Sequence, residues 1–177
     1  MGDANSITTK PSIYVACLAA YNSGYLHGAW IDAGQDEQAI RAEITAMLNC
    51  SPIAGAEEYA IHDYEGFESL RISEYEGVAS VVRKAAFITE HGALGAAVAE
   101  HFGGDMDEAE EALADRYHGQ DASLADYVQE LTEDTITIPE SLRHYIDWEA
   151  MARDAEMGGD VFTIQTAHDE VHIFSGH

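Results

Sequence analysis

The run Ser12-Ile13-Tyr14-Val15-Ala16-Cys17-Leu18-Ala19 packs apolar and β-branched residues into a block of strand length, and Asn22-Ser23-Gly24 supplies the turn that follows. Gly28-Ala29-Trp30-Ile31 then reads as a returning strand. Over residues 36–48 the period changes: Ala39, Ile40, Ile44, Met47 and Leu48 recur at helical spacing, which predicts an amphipathic helix. Pro52 and Gly55 break the chain before Glu58-Tyr59-Ala60-Ile61-His62-Asp63-Tyr64, a further predicted strand. A small sheet carrying one helix accounts for residues 12–66.

Residues 67–104 read as mostly helical. Ser73 and Glu76 have capping-box spacing, and a helix over about 74–90 aligns Val78, Val81, Val82, Ala85 and Ile88 on one side. Gly92 ends it, a second short helix covers 94–102, and Gly103-Gly104 marks the clearest boundary. Beyond it, 105–113 reads as a helix, the chain breaks near Gly119, and Ser123 with Asp126 opens another helix. Pro139 stands as a first-turn proline ahead of Leu142, Tyr145, Ile146 and Met151, with Gly158-Gly159 as the stop. Residues 161–166 and 171–174 read as two strands around a turn at 167–170. The predicted class is mixed α/β (α+β): three small modules at 12–66, 67–104 and 105–177, the middle one predominantly helical.

Charge narrows the function more than length does. The 177 residues carry 33 Asp+Glu against 8 Lys+Arg, a formal net charge of -25. Such a chain repels DNA, RNA and anionic membrane surfaces, which excludes direct nucleic-acid binding and membrane attachment by charge. The excess is uneven, because residues 105–160 hold 17 acidic and 3 basic side chains. No run approaches a membrane span, and the start MGDANSITTKP has no basic-then-apolar signal segment, so a cytoplasmic protein is expected. Met1-Gly2 with Ser6 loosely fits a myristoylation pattern, against which stands the acidic Asp3.

No catalytic centre assembles from these residues. Cys17 and Cys50 permit at most one disulfide, and Cys17 reads as a small buried thiol. His168-Asp169-Glu170-Val171-His172 has the two-histidine spacing of a zinc helix, but Asp169 stands where the glutamate base belongs and the surroundings predict a hairpin. His62-Asp63 and His144 with Asp147 are adjacencies expected by chance in so acidic a chain. Asp105, Asp107, Glu108, Glu110 and Glu111 lack the glycine and terminal glutamate of a calcium loop. The glycines at Gly92 and Gly95 follow a helix rather than a strand and miss the phosphate-loop patterns. No cofactor and no metal are expected.

Two readings of the acidic surface follow: salt adaptation of an ordinary enzyme, or imitation of a polyanion. Duplex DNA carries about one charge per 1.7 Å of axis. Two copies of this chain, at -25 each, match the charge of roughly 25 base pairs, about 85 Å of duplex. A compact domain of this length has a radius of gyration of only about 16 Å. Polyanion imitation therefore favours an elongated dimer of small modules. An acidic adaptor or transcription-regulatory protein that binds another basic partner without copying DNA is the alternative outside enzymes.

The chain resembles the ArdA-type antirestriction proteins from Ile13 to about Phe174. The likeness lies in Ile13-Tyr14-Val15, Asn22-Ser23-Gly24, Gly28-Ala29-Trp30 and Glu58-Tyr59-Ala60-Ile61-His62-Asp63-Tyr64-Glu65. It is strongest from Ile138-Pro139-Glu140 through Asp154, with Gly159-Asp160-Val161-Phe162 in step. The resemblance implies a non-enzymatic mimic of double-stranded DNA that blocks the DNA groove of type I restriction-modification enzymes, at their methyltransferase core. It further implies a homodimer joined through the C-terminal modules, acting in the cytoplasm of a bacterial host entered by mobile elements. The acidic surface of the family carries over to Asp105, Asp107, Glu108, Glu110, Glu111, Asp115, Asp126, Glu130, Glu133 and Asp134. The family's antirestriction motif carries over to Leu142, Tyr145, Ile146, Asp147, Trp148, Glu149, Arg153 and Asp154.

Overall fold

The computed structural model describes residues 9–177, and the myristoylation pattern at Met1-Gly2 lies outside them. The fold is mixed α+β, with several helices and two antiparallel sheets of three strands each. The chain divides into two compact units, one ending at Ala96 and the other running Ala97–His177.

In the first unit β1 (Ser12–Cys17) is the central strand, flanked by β2 (Gly28–Asp32) and β3 (Tyr59–Glu65). The two-residue period of β1 buries Ile13, Val15 and Cys17, each at 0–1% exposure. The helix α2 (Glu37–Asn49) packs on β1 and β2 through Ile40, Ile44 and Met47, matching the spacing read from sequence. Asp36 caps it by accepting from the Ala39 N–H at 2.8 Å. The predicted first strand is shorter than expected, because residues after Cys17 turn into a single helical turn, α1 (Leu18–Asn22).

The next helix begins later than its apolar spacing suggests. Ser73 and Glu76 do meet, the Ser73 N–H donating to Glu76 Oε2 at 2.8 Å, but they close a turn, and α3 (Val78–His101) starts at Val78. Glu76 is better placed as a hub. Its other carboxylate oxygen accepts from Ser80 Oγ and from Lys84 Nζ, both at 2.6 Å, while Lys84 also donates to the Arg71 carbonyl at 2.9 Å. Inside α3 the helical path fails at Gly92, with φ 58 and ψ -144, so it consists of the two helices expected there.

The second unit begins within α3. Asp105 caps α4 (Met106–Glu111), a π-helical turn follows at Ala112–Arg116, and the predicted break near Gly119 is a strand instead, β4 (Tyr117–Asp121). It lies at the edge of a sheet ordered β4, β6 (Glu170–Ser175), β5 (Val161–Ala167). Ile164, Ile173 and Phe174 form the buried core of this sheet. Phe162 stacks on Phe174 at 4.9 Å and on His101 at 4.4 Å. Between the strands lie α5 (Leu124–Thr135) and α6 (Trp148–Met157), which pack together.

Ser123 is the N-cap of α5: its Oγ accepts from the Asp126 N–H at 3.1 Å and donates to Asp126 Oδ2 at 2.7 Å. Ser123→Ala is expected to lower the unfolding free energy by about 1 kcal/mol. Urea unfolding followed by circular dichroism measures it. The single helix predicted after Pro139 is divided. Residues Glu140–Tyr145 form a 3-10 segment, and Asp147 starts α6 afresh by accepting from the Ala150 N–H at 3.0 Å.

Candidate partner-binding surface

All ten acidic residues assigned to the interaction surface are solvent-exposed. Five of them ride on α4 or its cap: Asp105, Asp107, Glu108, Glu110 and Glu111. The acidic first turn is self-consistent, because carboxylates near a helix N-terminus face its positive end, and Asp105 accepts from the N–H groups of Asp107 and Glu108 at 3.0 and 3.2 Å. Asp115 follows on the π-turn.

Two of these carboxylates also hold the unit together. Arg116, only 13% exposed in its side chain, donates to Glu108 at 3.0 Å and lies 3.8 Å from Glu111. Its guanidinium sits 5.3 Å from the Phe102 ring centroid. Glu108 and Glu111 therefore combine an exposed charge with the neutralisation of a largely buried cation.

The second acidic row lies on α5. Asp126, Glu130, Glu133 and Asp134 recur on one face and, with Gln129, line a shallow groove. At 1.5 Å rise per residue they span about 12 Å, an average density of one carboxylate per roughly 4 Å in steps of about 6, 4.5 and 1.5 Å. One strand of duplex DNA presents a phosphate about every 3.4 Å of axis. Arg143 reaches this row, 3.3 Å from Glu133 and 3.3 Å from Glu140.

The motif residues divide between neighbouring places. Tyr145, Ile146, Asp147, Trp148 and Glu149 line a second groove beside α5, together with Ala125, Asp126, Gln129 and His144. Leu142, Arg153 and Asp154 lie outside that lining. Two apolar side chains that helical spacing assigns to packing stand in solvent: Leu142 is 53% exposed and Tyr145 85%. Asp147 serves as the α6 cap. Gln129 and His144 were not singled out as surface residues by the sequence, although Gln129 stands one helical turn beyond Asp126.

The histidines pair with nearby carboxylates: His91 with Glu90 at 3.8 Å, His168 with Asp169 at 3.5 Å and His172 with Glu170 at 3.4 Å. His62 lies 3.8 Å from Glu74 and edge-on to Tyr21 at 4.9 Å, while Asp63 accepts from the Tyr64 N–H. His168 sits in the β5–β6 turn, and Asp169 beside it takes φ 58. His172 is buried, with Tyr117 Oη 2.7 Å from Nδ1 and Thr166 Oγ1 3.0 Å from Nε2. Hydrogen bonding from Thr166 and His172 holds Glu170 below the usual carboxylate range, and burial followed by Glu170's charge pushes Tyr117 up. These are bonds within a hairpin and its edge strand. Among the described residues no cluster of three His, Cys, Asp or Glu could hold a metal ion, no helix is long and apolar enough to cross a membrane, and Cys17 and Cys50 are both free.

No individually curated protein matches the chain. A family model described as antirestriction protein (ArdA) matches residues 13–170.

Proposed function

This chain belongs to the ArdA antirestriction family, and from that premise we propose that its two acidic rows occupy the DNA-binding groove of a type I restriction-modification enzyme at the methyltransferase core. The family's members are non-catalytic DNA mimics directed at type I restriction-modification systems, and this chain is an antirestriction DNA mimic. The finer reading concerns how it acts. Carboxylates on α4 and α5 stand in for phosphates and meet the Lys and Arg side chains that otherwise bind DNA, while long-range attraction speeds encounter. The observation that carries this is the exposed acidic row on α5, four carboxylates on one face along about 12 Å of helix.

We place the family motif beside that row as its support and as part of the contact between two copies. The exposed Leu142 and Tyr145 favour that role. A homodimer joined through residues 105–177 doubles the acidic length presented to one enzyme. Sedimentation equilibrium of the purified chain, with Tyr145→Ser as the comparison, should return twice the monomer mass for the first and a shift toward monomer for the second. The module spanning 67–104 acts as a connector in this scheme, and the complex forms in the cytoplasm of the bacterial host.

Titration of the chain into a type I methyltransferase bound to labelled duplex DNA tests the mechanism. Stoichiometric displacement is expected, weakening several-fold as salt rises from 50 to about 200 mM, since the contact is made of exposed charges. Binding of the enzyme with its DNA still in place would overturn competitive occupancy.

A further inference from the structure

We infer that the outer face of the N-terminal sheet is a docking site for an arginine side chain of the partner enzyme, with Tyr14 and Trp30 as a stacking platform and Asp32, Asp63 and Glu65 as acceptors. The identity of the partner rests on the function proposed above. The recognition mode is additional, because a planar cation is held between aromatic faces and carboxylates rather than by an imitation phosphate.

Strand register creates the site. Tyr14 lies opposite Trp30 on one side and Asp63 on the other, and Ser12 opposite Asp32 and Glu65. Directly paired residues share a face, so these side chains emerge together. The alternate positions Ile13, Val15 and Ile31 are buried at 0–1% on the side where α2 packs. On the outer face Trp30 is 48% exposed, and Asp32, Asp63 and Glu65 are exposed as well. The half-exposed indole thus presents an aromatic face to solvent on the same side of the sheet as the three acids.

The platform is also fixed in place. The Tyr14 and Trp30 ring centroids are 5.5 Å apart at 53°. Tyr14 leans across Gly28, where an added Cβ would stand 2.7 Å from its Oη and 2.8 Å from its Cζ. The absent side chain at Gly28 is what lets the phenol lie flat.

Charge selects the ligand. Asp32 and Asp63 each accept one backbone N–H, from Gly34 at 2.7 Å and Tyr64 at 2.8 Å, which orients their carboxylates. Among the described residues neither they nor Glu65 form an ion pair. An apolar partner would strip water from three unpaired carboxylates, and an anionic one is repelled. A guanidinium satisfies both halves, offering a flat cation to the indole and a fork of N–H donors to the acids. Basic side chains of that kind line DNA-binding grooves.

The test measures affinity for a purified type I restriction-modification holoenzyme across a salt series. Trp30→Leu should weaken binding about 3- to 30-fold with an unchanged salt slope, and Trp30→Phe should restore most of it. The combined Asp32→Asn, Asp63→Asn, Glu65→Gln variant, which keeps both backbone acceptors, should weaken binding and flatten the slope. Thermal unfolding of each variant separates lost fold from lost contact. In 5-fluorotryptophan-labelled protein the Trp30 fluorine resonance should move when the enzyme is added. A wild-type complex indifferent to Trp30→Leu and to the triple variant overturns this inference alone. No wild-type complex at all overturns the proposed function along with it.

Discussion

Lys84→Met is expected to lower the unfolding free energy by about 3–5 kcal/mol, the largest single-residue effect expected in the first unit. The reason is the company Lys84 keeps. Its side chain is 15% exposed and that of Glu76 9%, so the 2.6 Å ion pair is shielded from water. Methionine preserves most of the aliphatic bulk but leaves a buried carboxylate without its cation and the Arg71 carbonyl without its donor. Burial pushes Glu76 up, yet the bonds from Lys84, Ser80 and the Ser73 N–H outweigh it and hold the group below its ordinary 4.5. A depressed folded-state value means the stabilisation is present above pH about 4.5 and disappears as pH falls through the folded value. In Lys84→Met burial is opposed only by the bonds from Ser80 and the Ser73 N–H, so Glu76 titrates higher than in the wild type. The gap between wild type and variant should therefore be widest above neutral pH and shrink toward pH 4. Urea unfolding at several pH values measures it, and a gap that grows on acidification contradicts the assigned pair.

The second large effect is on inhibition. Changing Asp105, Asp115, Glu130 and Asp134 together to their amides should weaken displacement of DNA from a type I enzyme by about 5- to 1000-fold, taking roughly 0.2–1 kcal/mol for each exposed charge. Glu108 and Glu111 are left alone because they neutralise Arg116, and removing them would confuse lost binding with lost fold. Asparagine at position 105 retains an oxygen to cap α4. Glu130→Gln by itself should cost less than threefold. Loss of inhibition from that single change, with the thermal transition intact, would point to a discrete hot spot in place of a distributed charge surface.

How much of this was legible depended on whether a residue's role was local. Helix α2 could be read because Ile40, Ile44 and Met47 keep helical period and Asp36 stands at the cap. The start of α5 was equally plain in Ser123 and Asp126. Exposure of the ten acids followed from the cost of burying charge. Strand β4 was not legible: Tyr117-His118-Gly119-Gln120-Asp121 has little apolar alternation, since an edge strand is held by β6 alone. The Ser73–Glu76 pair had the right spacing but closes a turn, because Glu76 is drawn to Lys84, a partner two helical turns away. After Pro139 the apolar period ran on through the sequence while Asp147, capping the Ala150 N–H, divided the segment. The platform of Tyr14 and Trp30 needed strand register, which no single stretch of sequence contains.

The chain has two lysines, Lys10 and Lys84. With the Lys84 ammonium sequestered between a carboxylate and a carbonyl, the exposed Lys10 is the lysine that amine-reactive chemistry will reach. A biotin ester, a fluorophore or a sensor chip will thus attach far along the sequence from α4 and α5, at Lys10 or at the α-amino group, and these reagents leave carboxylates unmodified. An ordinary protein labels at many lysines and must be engineered for such control. Here the scarcity of cations that accompanies an acidic surface leaves Lys10 and the α-amino group as the chemical handles.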